Sequence, residues 1–327
     1  MTEELITRLF IEKNLGAVVP PITSVSGGFM HRMYKVDTEK ESFAVKHLNP
    51  EIMKRPEAMG NLKRADALES VLEDAGVPIV PAIIIDGEKM QSTGGEYFYI
   101  FHWQDGEITD WNNISAHQCE IAGRIQGMIH AIESKQIQKT EPELSSIDWS
   151  GLIGEAVENT PEMGRLLSEN KELLLYAEAE MNKARAELPG IECIIDEDMD
   201  PKNVMWYEGE PYVIDLECLE YGNPVSSALQ LSLQWAGITT CDLDIEKMKA
   251  FFRGYLEEYD NGFRDYPAVF GLAYTWVEWL EYNIRRALGE CSDEAEQEMG
   301  RTQVEMTIDR IKYLRENEVK IKQNLIY

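Results

Sequence analysis

Apolar positions along the chain fall into two regimes. From Glu3 to Asn14 they recur at helical spacing and predict a short leading helix. After Pro20-Pro21 the period drops to two. The runs I-T-S-V-S and M-Y-K-V-D flank Gly27-Gly28, and E-S-F-A-V-K-H-L follows as a strand with Lys46 near its end. Helical spacing returns from Arg55 to Ala75, with Met59, Leu62, Ala65, Leu68, Val71 and Leu72 on one side, and Gly76-Val77-Pro78 ends it. I-V-P-A-I-I-I-D-G and E-Y-F-Y-I-F read as two strands around a turn. Beyond them the pattern is mostly helical. Ile114 to Ser134 places Ile121, Ile125, Met128, Ile129 and Ile132 along one side, with His130 as a packed core residue. Residues 135–165 read as irregular, and Glu172 to Leu188 as a helix ended by Pro189-Gly190. After Pro224, helices are expected over Ser226 to Ala236, Asp244 to Tyr259, Tyr266 to Leu288 and Glu294 to Asn324.

One stretch breaks this helical remainder. Cys193 to Pro224 reads as a short apolar strand, a loop crowded with carboxylates, a strand Val204 to Trp206, a Glu-Gly-Glu-Pro turn and a third strand ending in Asp215. Carboxylates this close repel, so a positive partner is expected among them: a metal ion, a Lys or a cationic ligand. An EF-hand would need Gly at position six and Glu at position twelve of the loop. Pro201 and Tyr207 stand there, which excludes it. Two readings stay open on the residues alone, a solvated acidic turn and a phosphoryl-transfer loop. In the latter, a base Asp is followed by a magnesium-binding Asn, with a second metal-binding Asp at a strand end. Asp198, Asn203 and Asp215 meet that spacing.

D-E-D-M-D-P-K-N followed by V-I-D-L-E resembles the aminoglycoside phosphotransferase and choline kinase family, whose loop is usually H-G-D-x-x-x-x-N. The family's His is Asp196 here, and Ser227 stands near a place where the family often has Asp. The resemblance runs from Gly27 to about Leu288. It implies an α+β, two-lobed, protein-kinase-like fold: an N-terminal nucleotide-binding lobe over 1–104 with a small antiparallel sheet, and a mainly helical C-terminal lobe over 105–327. It implies Asp198 as catalytic base, and Asn203 and Asp215 as Mg2+ ligands. Lys46 would pair with the phosphates of ATP or GTP, and an acid from the following helix, Asp66 or Glu69, would pair with Lys46. Gly27 and Gly28 would form the phosphate-facing turn. Phe101 would lie near the gatekeeper position, with the backbone of His102 to Gln104 meeting the base. For an aminated acceptor such as an aminoglycoside or amino alcohol, Glu217 and Glu220 are the better placed acids, and Glu278 with Trp279 offers a carboxylate beside an aromatic face. A packed aromatic stripe with exposed glutamates is the competing reading of Tyr274 to Tyr282.

Composition adds constraints. At 327 residues the chain is long enough for two lobes, and 44% hydrophobic residues suit a globular protein. Lys plus Arg number 31 against 59 Asp plus Glu, a formal charge of −28. Such a chain repels nucleic acids and anionic membranes and attracts cations. Five scattered cysteines without a C-x-x-C pair argue against a disulfide framework or zinc site, and for a reducing compartment. The N-terminus lacks a signal-peptide pattern and no run approaches a membrane span, so a cytoplasmic protein, monomer or homodimer, is expected. The short loop from Asp215 to Pro224 holds no activation segment, which disfavours a kinase acting on proteins. The other class in contention is a pseudokinase, a nucleotide-binding scaffold without turnover, motivated by Asp196 and Ser226-Ser227.

Overall fold

The computed structural model describes residues 2–25, 31–139, 141–291 and 293–325; Gly27 and Gly28 lie outside the described residues. The chain forms two compact units. One comprises 1–108 together with 203–220, the other 109–202 with 221–327. The segment 203–220 thus goes with the strand-rich unit although helices precede it in the chain.

In the first unit, five antiparallel strands lie in the order Val18–Val25, Arg32–Thr38, Ser42–His47, Glu96–His102, Gln91–Thr93. The leading helix Thr2–Glu12 buries Ile6, Leu9 and Phe10 in one cluster with Val36, Phe43, Val45, Phe98 and Ile100. Successive side chains of a strand point to opposite faces. With Phe43 and Val45 committed to that cluster, Ala44 and Lys46 turn to the other face. There Tyr99, Leu48 and Ala82 pack with Leu62 of the helix Ala58–Asp74.

The apolar run after Pro78 is not the strand that its composition suggests. It makes only isolated bridges, Ile79 to Val213, Ala82 to Phe101 and Ile85 to Glu88. Pro78 and Pro81 remove two N–H donors from any ladder, which is sufficient reason. The hairpin Val204–Tyr207 and Glu210–Val213 turns through Glu208 and Gly209, both at positive φ, 53° and 90°. That combination matches the strand twist of a two-residue hairpin turn. Its second strand stops at Val213, two residues short of Asp215.

The second unit is mainly helical, with the strand Ile191–Asp196 leading into the acidic loop. Ala116–Ile132 and Ile245–Glu258 pack backbone to backbone: a Cβ on Gly123 would meet the Phe251 carbonyl oxygen at 1.9 Å, and one on Gly254 the Glu120 carbonyl oxygen at 1.9 Å. His130 is fully buried in the first of these helices, hydrogen-bonded to Gln126 and to the Tyr255 hydroxyl. Burial alone pushes its pKa down to about 3. The stretch expected to be irregular contains a helix, Trp149–Asn159, capped by Asp148 accepting the Gly151 N–H at 2.9 Å. A 27-residue helix, Pro161–Glu187, then replaces the shorter one expected from Glu172. The Pro at its first turn costs nothing there, because that N–H has no intrahelical partner. Tyr266 to Leu288 divides into a 3-10 turn, Phe270–Thr275, and the helix Trp276–Ala287. All five cysteines are free, and among the described residues no helix is long and apolar enough to cross a membrane.

Candidate active site

Lys46 lies at the centre of a cluster in the first unit. It pairs across the sheet with Met33 and Tyr99, and its side chain is only 8% exposed. Its Nζ lies 2.6 Å from Asp215 Oδ1 and 2.8 Å from Glu217 Oε1. Burial works against the ammonium charge, but the two carboxylates outweigh it and hold the Lys46 pKa above its usual value. Glu217 is fixed from a second side by His31, whose Nε2 lies 3.2 Å away. His31 Nδ1 accepts the Asn49 N–H at 2.9 Å. The ring proton therefore sits on Nε2 and is donated to Glu217. Burial opposes the Glu217 charge, yet the His31 and Lys46 contacts bring its pKa down to about 2.

Asp215 adopts a left-handed backbone, φ 62° and ψ 59°. For a residue with a Cβ this conformation is strained and tends to survive where function holds it. Asn203 is brought alongside by the hairpin register. Val204 opposes Val213, and the Ile214 N–H donates to the Asn203 carbonyl at 2.9 Å. Asn203 and Asp215 therefore flank the open end of one hairpin, their main chains joined through Ile214.

The acids expected to face Lys46 do not take it. Glu69 accepts from Lys89 Nζ and from the Ala82 N–H, each at 2.7 Å, in a buried site. Asp66 stands beside Tyr99, and burial raises its pKa. Both still line one small cleft with Lys46, Tyr99, Phe101, Asp215 and Glu217. The physical reason is proximity: Asp215 and Glu217 reach Lys46 first, and Glu69 is saturated by a nearer cation. Phe101 pairs with Ala44 at the end of the central strands, and His102 is exposed, with Nδ1 2.8 Å from Glu41. The Trp103 N–H donates to the Ser42 carbonyl at 3.0 Å, so this amide within the expected hinge is already engaged. Gln104 turns its amide onto the Asp105 carbonyl at 2.9 Å.

The carboxylate loop belongs to the second unit up to Lys202. Asp196 is fully buried, and its Oδ1 accepts the Asp198 N–H at 3.0 Å. Asp200 repeats the motif on the Lys202 N–H at 3.1 Å. Such side-chain turns, two residues ahead, shape a loop without a ladder. The Trp235 indole N–H adds a bond to the Met199 carbonyl at 2.9 Å. A carboxylate thus stands at the family's His position and holds the Asp198 main chain. Burial pushes the Asp200 pKa up to about 6, against the pull of Lys202. Ser227, near the family's further Asp, is buried and accepts from Gln126 at 2.8 Å.

The expected amine-binding acids fare unevenly. Glu217 is engaged by Lys46 and His31. Glu278 is held by Arg185 through two bonds of 2.8 and 2.7 Å, so its charge is already matched. Trp279 is 40% exposed and tilted on Tyr282, and Glu220 is exposed. Spacing missed His31 and Lys202. His31 stands in no expected motif, and Lys202, inside the acidic loop, is the Lys among the positive partners expected for its carboxylates, with no role in the motif.

Solved small-molecule phosphotransferases share this fold. A solved spectinomycin phosphotransferase, APH(9)-Ia, in complex with ADP and spectinomycin, superposes with TM-score 0.65 at 14% identity, covering 98% of this chain and 97% of that one. Amicoumacin kinase hAmiN in complex with AMP-PNP, Ca2+ and Ami gives 0.59 at 13% identity, with 95% and 96% covered. An ethanolamine kinase from Plasmodium vivax gives 0.57 at 12% identity, with 94% and 84% covered. At these identities the likeness concerns the fold. Residues 21–268 match the model of the phosphotransferase enzyme family (APH), and the chain belongs to that family. No curated protein matches it.

Proposed function

We propose that this protein is a small-molecule kinase that moves the γ-phosphoryl group of ATP or GTP onto a hydroxyl of an aminated acceptor, with Mg2+. The observation that carries the reading is the Lys46–Asp215 ion pair, with Asn203 tied beside Asp215. A buried ammonium beside a strained, metal-competent carboxylate suits a triphosphate better than a solvated turn does.

The donor set fits the cation. Asn203 and Asp215 supply two oxygens, and Mg2+ characteristically takes one or two protein ligands and completes its octahedron with phosphate oxygens and water. Among the described residues there is no cluster of three or more His, Cys, Asp or Glu of the kind that cages a metal. When bound, the ion supplies charge neutralisation on the phosphates. Lys46 adds fixed positive charge to the non-transferred phosphates. Asp198 orients the acceptor hydroxyl and takes its proton as the new O–P bond forms. The bond from the γ-phosphorus to the β-bridging oxygen breaks, and nucleoside diphosphate leaves.

Asp196, by capping Asp198, supports an active loop over a scaffold without turnover. The charge of −28 favours a cationic acceptor through long-range steering. The spectinomycin phosphotransferase and the ethanolamine kinase that share the fold point to the same kind of acceptor. Of the acids considered for the amine, Glu220 is the exposed candidate, with Trp279 as an aromatic face.

The test is ADP or GDP release from Mg2+·ATP and Mg2+·GTP across a panel of amino alcohols and aminoglycosides, with Asp198→Ala as control. Acceptor-stimulated release abolished in the control supports the reading. Nucleotide binding without release on any acceptor would make the protein a nucleotide-binding scaffold instead.

A further inference from the structure

Asp198 does not stand alone in its loop. Lys202 Nζ lies 2.9 Å from Asp198 Oδ1 and 2.7 Å from Asp200 Oδ2. The Asp200 side chain is 10% exposed and that of Lys202 29%, so this is not a pair of long chains waving in solvent. Asp200 fixes Lys202 at both ends, by taking the ammonium and by accepting the Lys202 backbone N–H at 3.1 Å. The backbone of Asp198 is separately held by Asp196 at 3.0 Å. Two independent devices thus converge on one carboxylate: one sets its main chain, the other its side chain.

We propose that Lys202 is a positioning residue for phosphoryl transfer, its ammonium, anchored by Asp200, fixing the Asp198 carboxylate in the orientation from which it receives the acceptor's hydroxyl proton. The inference rests on the reading of Asp198 as base. Two physical arguments carry it. An ammonium on Oδ1 stops rotation of the carboxylate about its terminal torsion, and a misoriented base loses rate steeply because catalysis here is almost entirely positioning. The ammonium also offsets like charge: Asp196, Asp198 and Asp200 crowd five residues, and Lys202 is the cation among them. A staple that merely stabilised the loop would not need to engage Asp198, since Asp200 alone could satisfy it.

The experiment compares Lys202→Met, Lys202→Arg and Asp198→Asn, together with the double variant, in the full chain. The readout is nucleoside diphosphate release from Mg2+·ATP, with water alone and with the best acceptor from the panel. Lys202→Met should lower kcat by about 30-fold or more while leaving the nucleotide KM within about threefold, the pattern of an interaction used in the transition state. Lys202→Arg, which keeps the charge and the reach, should recover to within about fivefold. In the Asp198→Asn background, Lys202→Met should change the remaining rate by less than about threefold, because coupled residues are not additive. Thermal melting separates loss of fold from loss of rate, and the Arg variant carries the test if the Met variant unfolds. A Met variant of wild-type rate, or a loss that persists undiminished in the Asp198→Asn background, overturns the proposal while leaving the kinase reading intact. A wild-type protein without turnover overturns that reading first, and this inference with it.

Discussion

Lys46 and Asp215, 169 residues apart in the chain, meet at 2.6 Å between the ammonium and one carboxylate oxygen. Neither partner is spare. Lys46→Ala should raise the nucleotide KM and lower kcat together, by about tenfold or more in each, as a phosphate-contacting charge is lost. It should also cost about 3 kcal/mol of stability, because Asp215 and Glu217 would keep their charges without a cation. Steady-state kinetics and urea denaturation check the two effects, and unchanged nucleotide kinetics would remove Lys46 from the phosphate site.

Asp215→Ala should abolish Mg2+-dependent nucleotide binding, since one of two protein oxygens for the ion disappears. The replacement also puts Ala at φ 62°. Asp215→Asn keeps a carbonyl oxygen and a residue that tolerates the left-handed region. It should therefore retain the fold while weakening the metal response by about 100-fold, a loss within the range for one electrostatic contact in a dry site. Titration of Mg2+ against nucleotide affinity decides the matter; a Mg2+ dependence unchanged from wild type in both variants would refute the metal assignment.

The order of Lys46, the acidic loop and Asp215 was legible because each lies in a motif with fixed spacing, and spacing survives in sequence. The family and the fold class followed from that order. The partner of Lys46 was not legible. Asp66 and Glu69 have the right helical phase, but pairing depends on which carboxylate arrives first in three dimensions, and Asp215 and Glu217 do. The helix Trp149–Asn159 was hidden for a different reason: its apolar positions are few and its cap, Asp148, reads equally well as a loop residue. The strand expected after Pro78 looked right in composition, yet two prolines denied it a ladder.

Asp196 gives a sharper test of the altered loop. Asp196→Asn keeps an oxygen to accept the Asp198 N–H, so kcat should stay within about fivefold of wild type. Asp196→Ala removes the acceptor from a fully buried place and should reduce kcat by about 30-fold or more, with a modest loss of stability. Equal rates for the Asn and Ala variants would show that the 3.0 Å bond has no part in activity.

Glu318 provides a pH prediction away from the site. It accepts from Lys322 at 2.6 Å, Arg315 at 2.9 Å and the hydroxyls of Tyr176 and Tyr274 at 2.9 and 3.0 Å. Burial works against its charge, but the bonds from Lys322, Tyr176 and Tyr274 prevail and lower its pKa to about 2. A depressed carboxyl contributes stability that is complete above its unfolded value and fades as pH falls toward the folded one. Glu318→Gln should cost about 2 kcal/mol at neutral pH, a typical figure for hydrogen bonds to a charged group. The gap from wild type should narrow as pH drops below 4.5 toward 2. Urea melts at pH 7, 5 and 3 would expose a gap that fails to narrow.

Gly123→Ala is expected to be among the most damaging single methyl additions in the chain. The new carbon would fall 1.9 Å from the Phe251 carbonyl oxygen, and main chain cannot step aside as a side chain can. A loss of about 3 kcal/mol or more, in the upper range for overpacking, should appear in the melting curve. Gly154→Ala, with nothing within 4 Å of its Cβ and a helical backbone, should be neutral or mildly stabilising by comparison.

The discontinuity of the first unit has a consequence for how the protein is made. Val80 and Pro78 complete their backbone hydrogen bonds only with Val213, at 2.9 and 2.8 Å, and Glu107–Ile108 gains a strand neighbour only from Val204–Tyr207. A ribosome that has released the first 108 residues has therefore delivered a sheet with an unfinished seam. More than ninety further residues must emerge before the closing hairpin arrives, and a nascent chain stalled in that interval would present its open edge to chaperones.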